Sequence, residues 1–258
     1  MKPYYDQDGI TIYNGDNVTA MKAMDADSID MVVTSPPYDN LRTYGGHSWD
    51  FEGVAEQLWR VIKPGGVVVW VVADATIDGS ETGTSFRQAL RFMEIGFRLH
   101  DTMIWEKTGN GCIGSQLCYS QQVEYMFVLS SGTPDRGALI RDRKNVVSSG
   151  KATVNHALKP DGTFDRRTIE RQPFGVRSNI WRIEPQREVQ HPAPFPESLA
   201  RDHILSWSNE GDTVLDPFGG SGTTAKMAMH NGRKAISIEI HREYCDIQIE
   251  RLRQKTLF

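Results

Sequence analysis

Cysteine is scarce: the 258 residues contain three, Cys112, Cys118 and Cys245. None forms a Cys-x-x-Cys pair, so no zinc site or other metal is expected, and the usage suits a reducing compartment. Long hydrophobic runs are missing too. No stretch approaches the ~18 apolar residues of a membrane span, and the opening MKPYYDQDGI has no apolar centre of the secretory kind. A cytoplasmic protein is the expectation. There is no Gly-Lys-Ser/Thr, which excludes the phosphate-binding P-loop. Neither an internal repeat nor a low-complexity tract is present. What remains is an ordinary globular composition, 39% hydrophobic with a net charge of −4, able to build a sizeable core.

The apolar segments alternate in kind. GITIYNGD (9–16), SIDMVVTS (28–35), VVVWVVAD (67–74), RLHDTMIWEK (98–107), VEYMFVLSS (123–131), DTVLDPF (212–218) and KAISIEI (234–240) read as strands. SIDMVVTS and VVVWVVAD are near-continuous apolar runs, the pattern of strands buried on both faces. FEGVAEQLWRVIKPGG (51–66), TSFRQALRFMEIGF (84–97), PESLARDHILSWS (196–208), GTTAKMAMHNG (222–232) and REYCDIQIERLRQKT (242–256) read as helices. Their limits are marked by a Lys-Pro-Gly-Gly stop, a Thr/Ser cap, Pro196 and Gly232. The alternation predicts an α/β fold with a doubly wound, mostly parallel sheet.

Residues 134–190 interrupt it. They are polar, weakly periodic and expected to hold little regular core, with 12 Lys+Arg against 7 Asp+Glu. The chain thus divides into 1–133, an insert at 134–190, and 191–258. A basic insert in an acidic body suits a polyanion-facing surface; a solvated arginine-rich loop reads equally well from charge alone.

Two short stretches carry chemistry. LDPFGGSGTT (215–224) runs from a strand through glycines into a helix. Glycine lets a ligand approach the main chain, and N–H groups at the helix start can bind an acceptor. Glu239 follows after the next strand, where a carboxylate takes both hydroxyls of a ribose in dinucleotide folds. The Gly-x-Gly-x-x-Gly fingerprint is incomplete, which weakens a nicotinamide reading. A tight turn without ligand is the plainer alternative.

The second stretch is Ser35-Pro36-Pro37-Tyr38, directly after a strand. Two prolines fix an extended elbow and remove backbone donors. An exposed carbonyl beside the Ser35 hydroxyl makes a fixed pair of acceptors, and Tyr38 offers a flat face. That set suits the two N–H donors of an exocyclic amino group on a planar base. A proline turn after an edge strand is the plainer alternative here.

Together these motifs resemble the amino-methylating DNA methyltransferases that use S-adenosylmethionine, in the β permutation group, where the catalytic motif precedes the cofactor motif. TSPPY is similar to their catalytic motif and LDPFGGSGTT to their cofactor motif. IYNGDN (12–17), IKPGGVVVWVV (62–72) and HPAPFPESLARDHI (191–204) resemble flanking elements of the group. The resemblance covers nearly all of the chain outside the insert. It implies a circularly permuted, Rossmann-like seven-stranded sheet with one antiparallel strand, with GITIYNGD beside KAISIEI. It implies a cofactor site of Asp16 at the adenine, Glu239 at the ribose, Ser198 and its helix start at the carboxylate, and Thr34, Asp216, Pro217, Phe218, Gly219, Gly220, Ser221, Gly222 and Thr223 around the rest. Phe218 could face the sulfonium, a cation–π contact worth roughly 0.5–2 kcal/mol.

The reaction implied is methylation of a flipped base, most often cytosine N4 where the motif begins with serine, with adenine N6 as the alternative. Ser35 and the Pro36 carbonyl would accept the two amino hydrogens, and Tyr38 would stack. A cysteine mechanism at a base carbon usually takes a Pro-Cys pair, which is absent, so Cys112 and Cys118 read as bystanders. The insert falls where the group's target-recognition region lies. Arg136, Arg141, Arg143, Lys144, Lys151, Arg166, Arg167, Arg171 and Arg177 are its candidate DNA contacts, with Arg42 after the elbow. The glycine-rich 105–120 stretch reads as a loop bordering the target pocket. Double-stranded DNA is the partner implied; a homodimer and a cognate restriction endonuclease are compatible with the family. Two further readings stay open, an NAD-dependent oxidoreductase and a DNA-binding module without activity.

Overall fold

A computed structural model describes residues 1–37, 49–108, 119–145, 150–170, 172–186 and 196–253. It falls into two compact units, Met1–Ala138 with Asn179–Phe258, and Leu139–Ser178. The second is narrower than the 134–190 segment suggested by composition.

The first unit begins with β1 (Tyr5–Gln7), β2 (Ile10–Asn14), α1 (Asn17–Lys22) and β3 (Ile29–Thr34). Next come α2 (Phe51–Val61), β4 (Ile62–Val72), a small hairpin of β5 (Thr76–Ile77) and β6 (Ser80–Glu81), α3 (Thr84–Ile95), β7 (Arg98–Lys107) and β8 (Val123–Ser130). The second unit holds β9 (Arg143–Lys144), β10 (Lys151–Leu158), β11 (Phe164–Glu170) and β12 (Phe174–Gly175). The chain then returns through β13 (Ile180–Ile183), α4 (Glu197–Trp207), β14 (Thr213–Asp216), α5 (Thr223–His230), β15 (Lys234–Glu239) and α6 (Arg242–Arg253).

The main sheet has the order β1-β2-β15-β14-β3-β4-β8-β7-β13. From β2 to β7 it is the expected set of seven, with β8 alone antiparallel to its neighbours β4 and β7. Two short strands extend it to nine: β1 antiparallel on β2, and β13 parallel on β7. The composition of the insert hid β13, whose four residues are too few to show a period.

Alternation explains why helices cover both faces. Met31, Val33, Val67, Val69 and Val71 point into one core with Leu199, Ile204, Ala228 and Cys245 from α4, α5 and α6. Val32, Val68, Trp70 and Val72 point into the other with Met21, Leu58 and Phe92 from α1, α2 and α3. A strand with period two and buried partners on both sides must read as a continuous apolar run. All six residues of β3 are buried.

Local signals set most helix ends. Asp16 and Asp50 cap α1 and α2 by accepting from the N–H groups of Thr19 and Gly53. The expected Thr/Ser cap of α3 is instead Gly83, and the Ser85 N–H is taken by the carboxylate of Asp74 at 2.8 Å. The Lys-Pro-Gly-Gly stretch does end α2, but its residues already belong to β4.

The second unit is more regular than its composition suggested. β10 and β11 form an antiparallel ribbon from Lys151↔Glu170 to Leu158↔Phe164, with a bulge between Asn155 and Ala157. β9 and β12 form a second, shorter pair.

Candidate active site

β3 and β14 are parallel neighbours, with Met31 opposite Val214 and Val32 opposite Leu215. The Ser35-Pro36-Pro37 elbow and the Pro217–Gly222 bend therefore leave the sheet side by side, at the carboxyl ends of adjacent strands. From β14 the chain continues to β15 on one side, and from β3 to β4 on the other. Such a reversal is where open α/β sheets bind ligands.

A buried polar pair locks the two segments. Thr34 Oγ1 donates to Asp216 Oδ1 at 2.7 Å, and the same oxygen accepts from the Phe218 N–H at 3.0 Å. Thr224 Oγ1 donates to the Val33 carbonyl at 3.2 Å. Burial raises the Asp216 pKa, while hydrogen bonds from Thr34, Phe218 and Thr224 offset part of the rise. Thr34 and Asp216 are both buried, so their place is behind the surface of the site, holding its two walls together. Ser35 is half-buried and Pro36 buried. Tyr38 and Arg42 lie outside the described residues.

The glycines are needed for close approach. The Gly219 N–H donates to the Ile238 carbonyl at 2.8 Å. A Cβ on Gly219 would lie 2.0 Å from Ser237 Oγ and 2.8 Å from Gln248 Nε2. Gly222 has φ +84°, and a Cβ there would meet Gln248 Cγ at 2.8 Å. The bend is thus pressed onto β15 and α6, with Phe218 and Gly220 its least buried members between Pro217 and Ser221.

Glu239 ends β15 beneath this bend. It is 8% exposed. Oε2 accepts from the Gly220 N–H and Oε1 from the His241 N–H, both at 2.8 Å. Burial pushes its carboxyl up to about 7 in spite of backbone hydrogen bonds from His241, Gly220 and Ile240. Asp16 stands exposed one strand away, because β2 pairs with β15 in the register Asn14↔Glu239. The Gly15 N–H donates to the Glu239 carbonyl at 2.9 Å, and Asn17 Nδ2 to the Pro217 carbonyl at 3.2 Å. GITIYNGD and KAISIEI therefore lie together as expected.

Two groups complete the surroundings. Ser198 is half-buried in the first turn of α4. Its neighbour Glu197 accepts from Lys226 at 2.7 Å and Arg251 at 2.9 Å. Burial would raise the Glu197 pKa, but these two cations outweigh it and bring it below the usual range. Phe218 meets Trp49 edge-on at 5.0 Å and Trp70 at 6.2 Å, and Trp49 also contacts Phe51. Asn17, Trp49, Glu197 and Arg251 were not singled out from sequence. Only Asn17, next to the Gly-Asp element, carried a local signal.

Residues 29–250 match the family model described as DNA methylase, that of the N6 and N4 amino-methyltransferases. The chain belongs to this family. An orphan methyltransferase of Bacillus amyloliquefaciens, M.BamHII, is 55% identical over 237 residues, covering 88% of this chain and 89% of that protein. The DNA adenine methyltransferase YhdJ of Escherichia coli K12 is 28% identical over 254 residues, covering 94% and 82%. Among solved structures, the cytosine-N4-specific PvuII DNA methyltransferase superposes with a TM-score of 0.72 at 20% identity, covering 100% of this chain and 91% of that one. The fold is thus the Rossmann-like fold of DNA methyltransferases. Nothing in these comparisons supports the oxidoreductase reading.

S-adenosyl-L-methionine is the methyl donor of the N6/N4 family, and the residues present fit it. Glu239 and Asp16 supply carboxylate acceptors of the kind that a ribose diol and an adenine amino group take. Backbone N–H groups of His241, Gly220 and Ile240 act on the buried Glu239 carboxylate, whose two oxygens together offer about four acceptor sites, so capacity remains for a hydroxyl donor. Among the described residues there is no His/Cys/Asp/Glu group able to hold a metal, and no helix long and apolar enough to cross a membrane.

The candidate DNA contacts separate into kinds. Arg136 is bound to Asp30 at 3.1 Å and Asp135 at 2.7 Å. Asp30 is the second residue of β3, so Arg136 sits by the amino ends of the strands, away from the elbow. Both carboxylates hold it within the first unit, close to where that unit ends at Ala138. Arg177 is paired with Asp142 within the second unit. Arg141, Arg143, Lys144, Lys151, Arg166 and Arg167 are exposed on that unit. Arg171 lies outside the described residues, as do Cys112 and Cys118.

Proposed function

We propose that this DNA amino-methyltransferase transfers the methyl group of S-adenosylmethionine to the exocyclic amino nitrogen of a base flipped out of double-stranded DNA, with cytosine N4 as the target. The observation that carries the reading is the Thr34–Asp216 hydrogen bond, which holds the acceptor-rich elbow against the glycine bend. The cofactor supplies a methyl electrophile on a sulfonium.

The protein's own residues have three tasks. Ser35 Oγ and the Pro36 carbonyl accept hydrogen bonds from the two amino N–H groups. This draws the nitrogen toward tetrahedral geometry and localises its lone pair on the side facing the bend. Holding nitrogen and methyl carbon at roughly 3–3.5 Å then supplies much of the acceleration. Phe218, with Trp49 behind it, keeps the place of the sulfonium dry and offers π-density. Tyr38 stacks on the extruded base, offsetting part of the few kcal/mol that flipping costs. The proton lost by the amino group passes to water.

Ser35 favours cytosine, since family members whose motif begins with serine more often methylate N4. Adenine N6 is the second reading, and YhdJ at 28% identity is named for adenine. Mass spectrometry of DNA from cells expressing the protein separates the products: N4-methylcytosine is expected, and N6-methyladenine alone would replace the target.

For DNA contact we assign the β10–β11 ribbon. The second unit carries nine Lys+Arg and four Asp+Glu within a chain of net charge −4. Cross-strand partners share a ribbon face. The pairs Lys151/Glu170, Thr153/Thr168 and Asn155/Arg166 therefore form one polar face, and Ala152/Ile169 and Val154/Arg167 the other. A two-stranded ribbon fits the major groove, where Arg grips guanine and Asn grips adenine. Arg166 and Asn155 are the base-reading pair in this assignment, with Lys151 on phosphate.

A further inference from the structure

The last helix belongs to neither motif, yet it grips both segments assigned to the methyl donor. From the final turn of α6, Arg251 Nη1 donates to the Ser221 carbonyl at 3.1 Å and to Ser221 Oγ at 2.6 Å. Its Nη2 donates to Glu197 Oε1 at 2.9 Å. One turn earlier, fully buried Gln248 donates through Nε2 to the Gly220 carbonyl at 2.9 Å. Two consecutive carbonyls of the bend are thus held outward, toward α6. Lys226 of α5 reaches the same Glu197 oxygen as Arg251, at 2.7 Å.

This arrangement answers a mechanical need. Glycines give the bend its close approach but also the largest conformational freedom to lose. The donor's amino-acid end must meet the bend and the first turn of α4 together. The sheet sets the bend through β14, and core packing on β3, β4 and α5 sets the body of α4, but that packing does not tie the first residue of α4 to the bend itself. One guanidinium bonded to Ser221 and to Glu197, the first residue of α4, does. Two cations on one carboxylate also leave one surplus positive charge beside a helix start, which favours an anionic carboxylate there.

Building on the methyl-donor reading above, we propose that Arg251, with Gln248, is a positioning residue for S-adenosylmethionine, fixing the spacing between the glycine bend and the start of α4. A lysine cannot replace it, because an ammonium is a single point charge and a guanidinium a planar fork.

The test is equilibrium binding of S-adenosylmethionine to wild type, Arg251→Ala and Arg251→Lys, with steady-state kinetics alongside. Arg251→Ala should weaken the Kd about 10-fold or more, the loss expected of a charged hydrogen bond. Arg251→Lys should recover only part of it. At saturating cofactor, kcat and DNA affinity should stay within about 3-fold of wild type, since no contact unique to the transition state is removed. Unchanged affinity in Arg251→Ala overturns the inference alone, and so does a fall in kcat with KM unchanged. Should both variants fail to fold, hydrogen exchange on the wild type decides. Cofactor should slow exchange in 219–223 and 245–252 together, and protection confined to the bend overturns the inference. A wild-type protein that does not bind S-adenosylmethionine overturns the methyl-donor reading and this inference with it.

Discussion

Glu239 makes cofactor binding a titration. Its carboxyl is raised from an ordinary value of 4.5 to about 7, chiefly by burial. Keeping it ionised in the empty protein therefore costs roughly 3 kcal/mol at 1.36 kcal/mol per unit. The folded pKa lies above the unfolded one, so between 4.5 and 7 the folded protein binds more protons. Its contribution to stability is greatest below about 4.5 and is lost as pH rises through about 7, where the curve flattens. A ribose diol reverses the balance. Two hydroxyl donors favour the carboxylate, so binding lowers the pKa and expels a proton. If only the ionised form receives the diol, affinity for S-adenosylmethionine rises up to about 30-fold from pH 5.5 to 8, most of it below 7. At pH 6.5, where about three-quarters of the empty sites are protonated, titration calorimetry in buffers of different ionisation heat should register about 0.7 proton released per site. Glu239→Gln should abolish both the slope and the release, and weaken binding at pH 8 by about 10- to 100-fold, as expected for a lost hydrogen bond to a charged acceptor. Affinity that is flat from pH 5.5 to 8 in the wild type, with no proton release, would refute the reasoning.

Four other outcomes follow from the site and the insert. Ser35→Ala should lower kcat at least about 100-fold with the melting temperature and cofactor Kd unchanged, because it removes a preorganised acceptor; activity near wild type would remove Ser35 from the mechanism. Thr34→Val leaves the buried Asp216 carboxylate with one donor fewer and should cost about 1–3 kcal/mol in denaturant unfolding. Gly219→Ala drives a methyl onto Ser237 Oγ and Gln248 Nε2, so a destabilisation of about 1–3 kcal/mol with weakened cofactor binding is expected in the same assays. Arg166→Ala and Asn155→Ala should each relax discrimination at one base pair by about 1–3 kcal/mol, read by methylation of a randomised duplex pool, whereas Lys151→Ala should weaken all sequences alike.

The parts of this protein that a reader of the sequence can find are those whose chemistry is local. Ser35-Pro36-Pro37 announces an elbow because proline acts on its own backbone and its neighbour's. The glycines of the bend announce a close approach, and the valines of β4 announce burial on both faces. What is hidden depends on residues far apart in the chain. Arg251 and Glu197 are 54 residues apart, and nothing near either identifies the other. Trp49 gains meaning only where it meets Phe218. Arg136 looks like its neighbours in a basic segment, but Asp30 claims it from across the fold. Charge counts cannot separate an arginine that holds the chain from one that faces a partner; the ribbon's register can, because it sorts side chains by face.

The same contrast explains why a polar pair stands at the centre of an apolar sheet. An acid as buried as Asp216 costs desolvation energy, and apolar residues in place of Thr34 and Asp216 would avoid that cost. Two apolar side chains would not, however, fix the direction of the chain as it leaves the strands. Asp216 Oδ1 binds the Thr34 hydroxyl at the start of the elbow and the Phe218 N–H at the start of the bend. One oxygen therefore sets where both loops begin. The site's two walls, 182 residues apart in sequence, are aligned at their roots, and the transfer distance between a base held by one and a methyl group held by the other inherits that alignment.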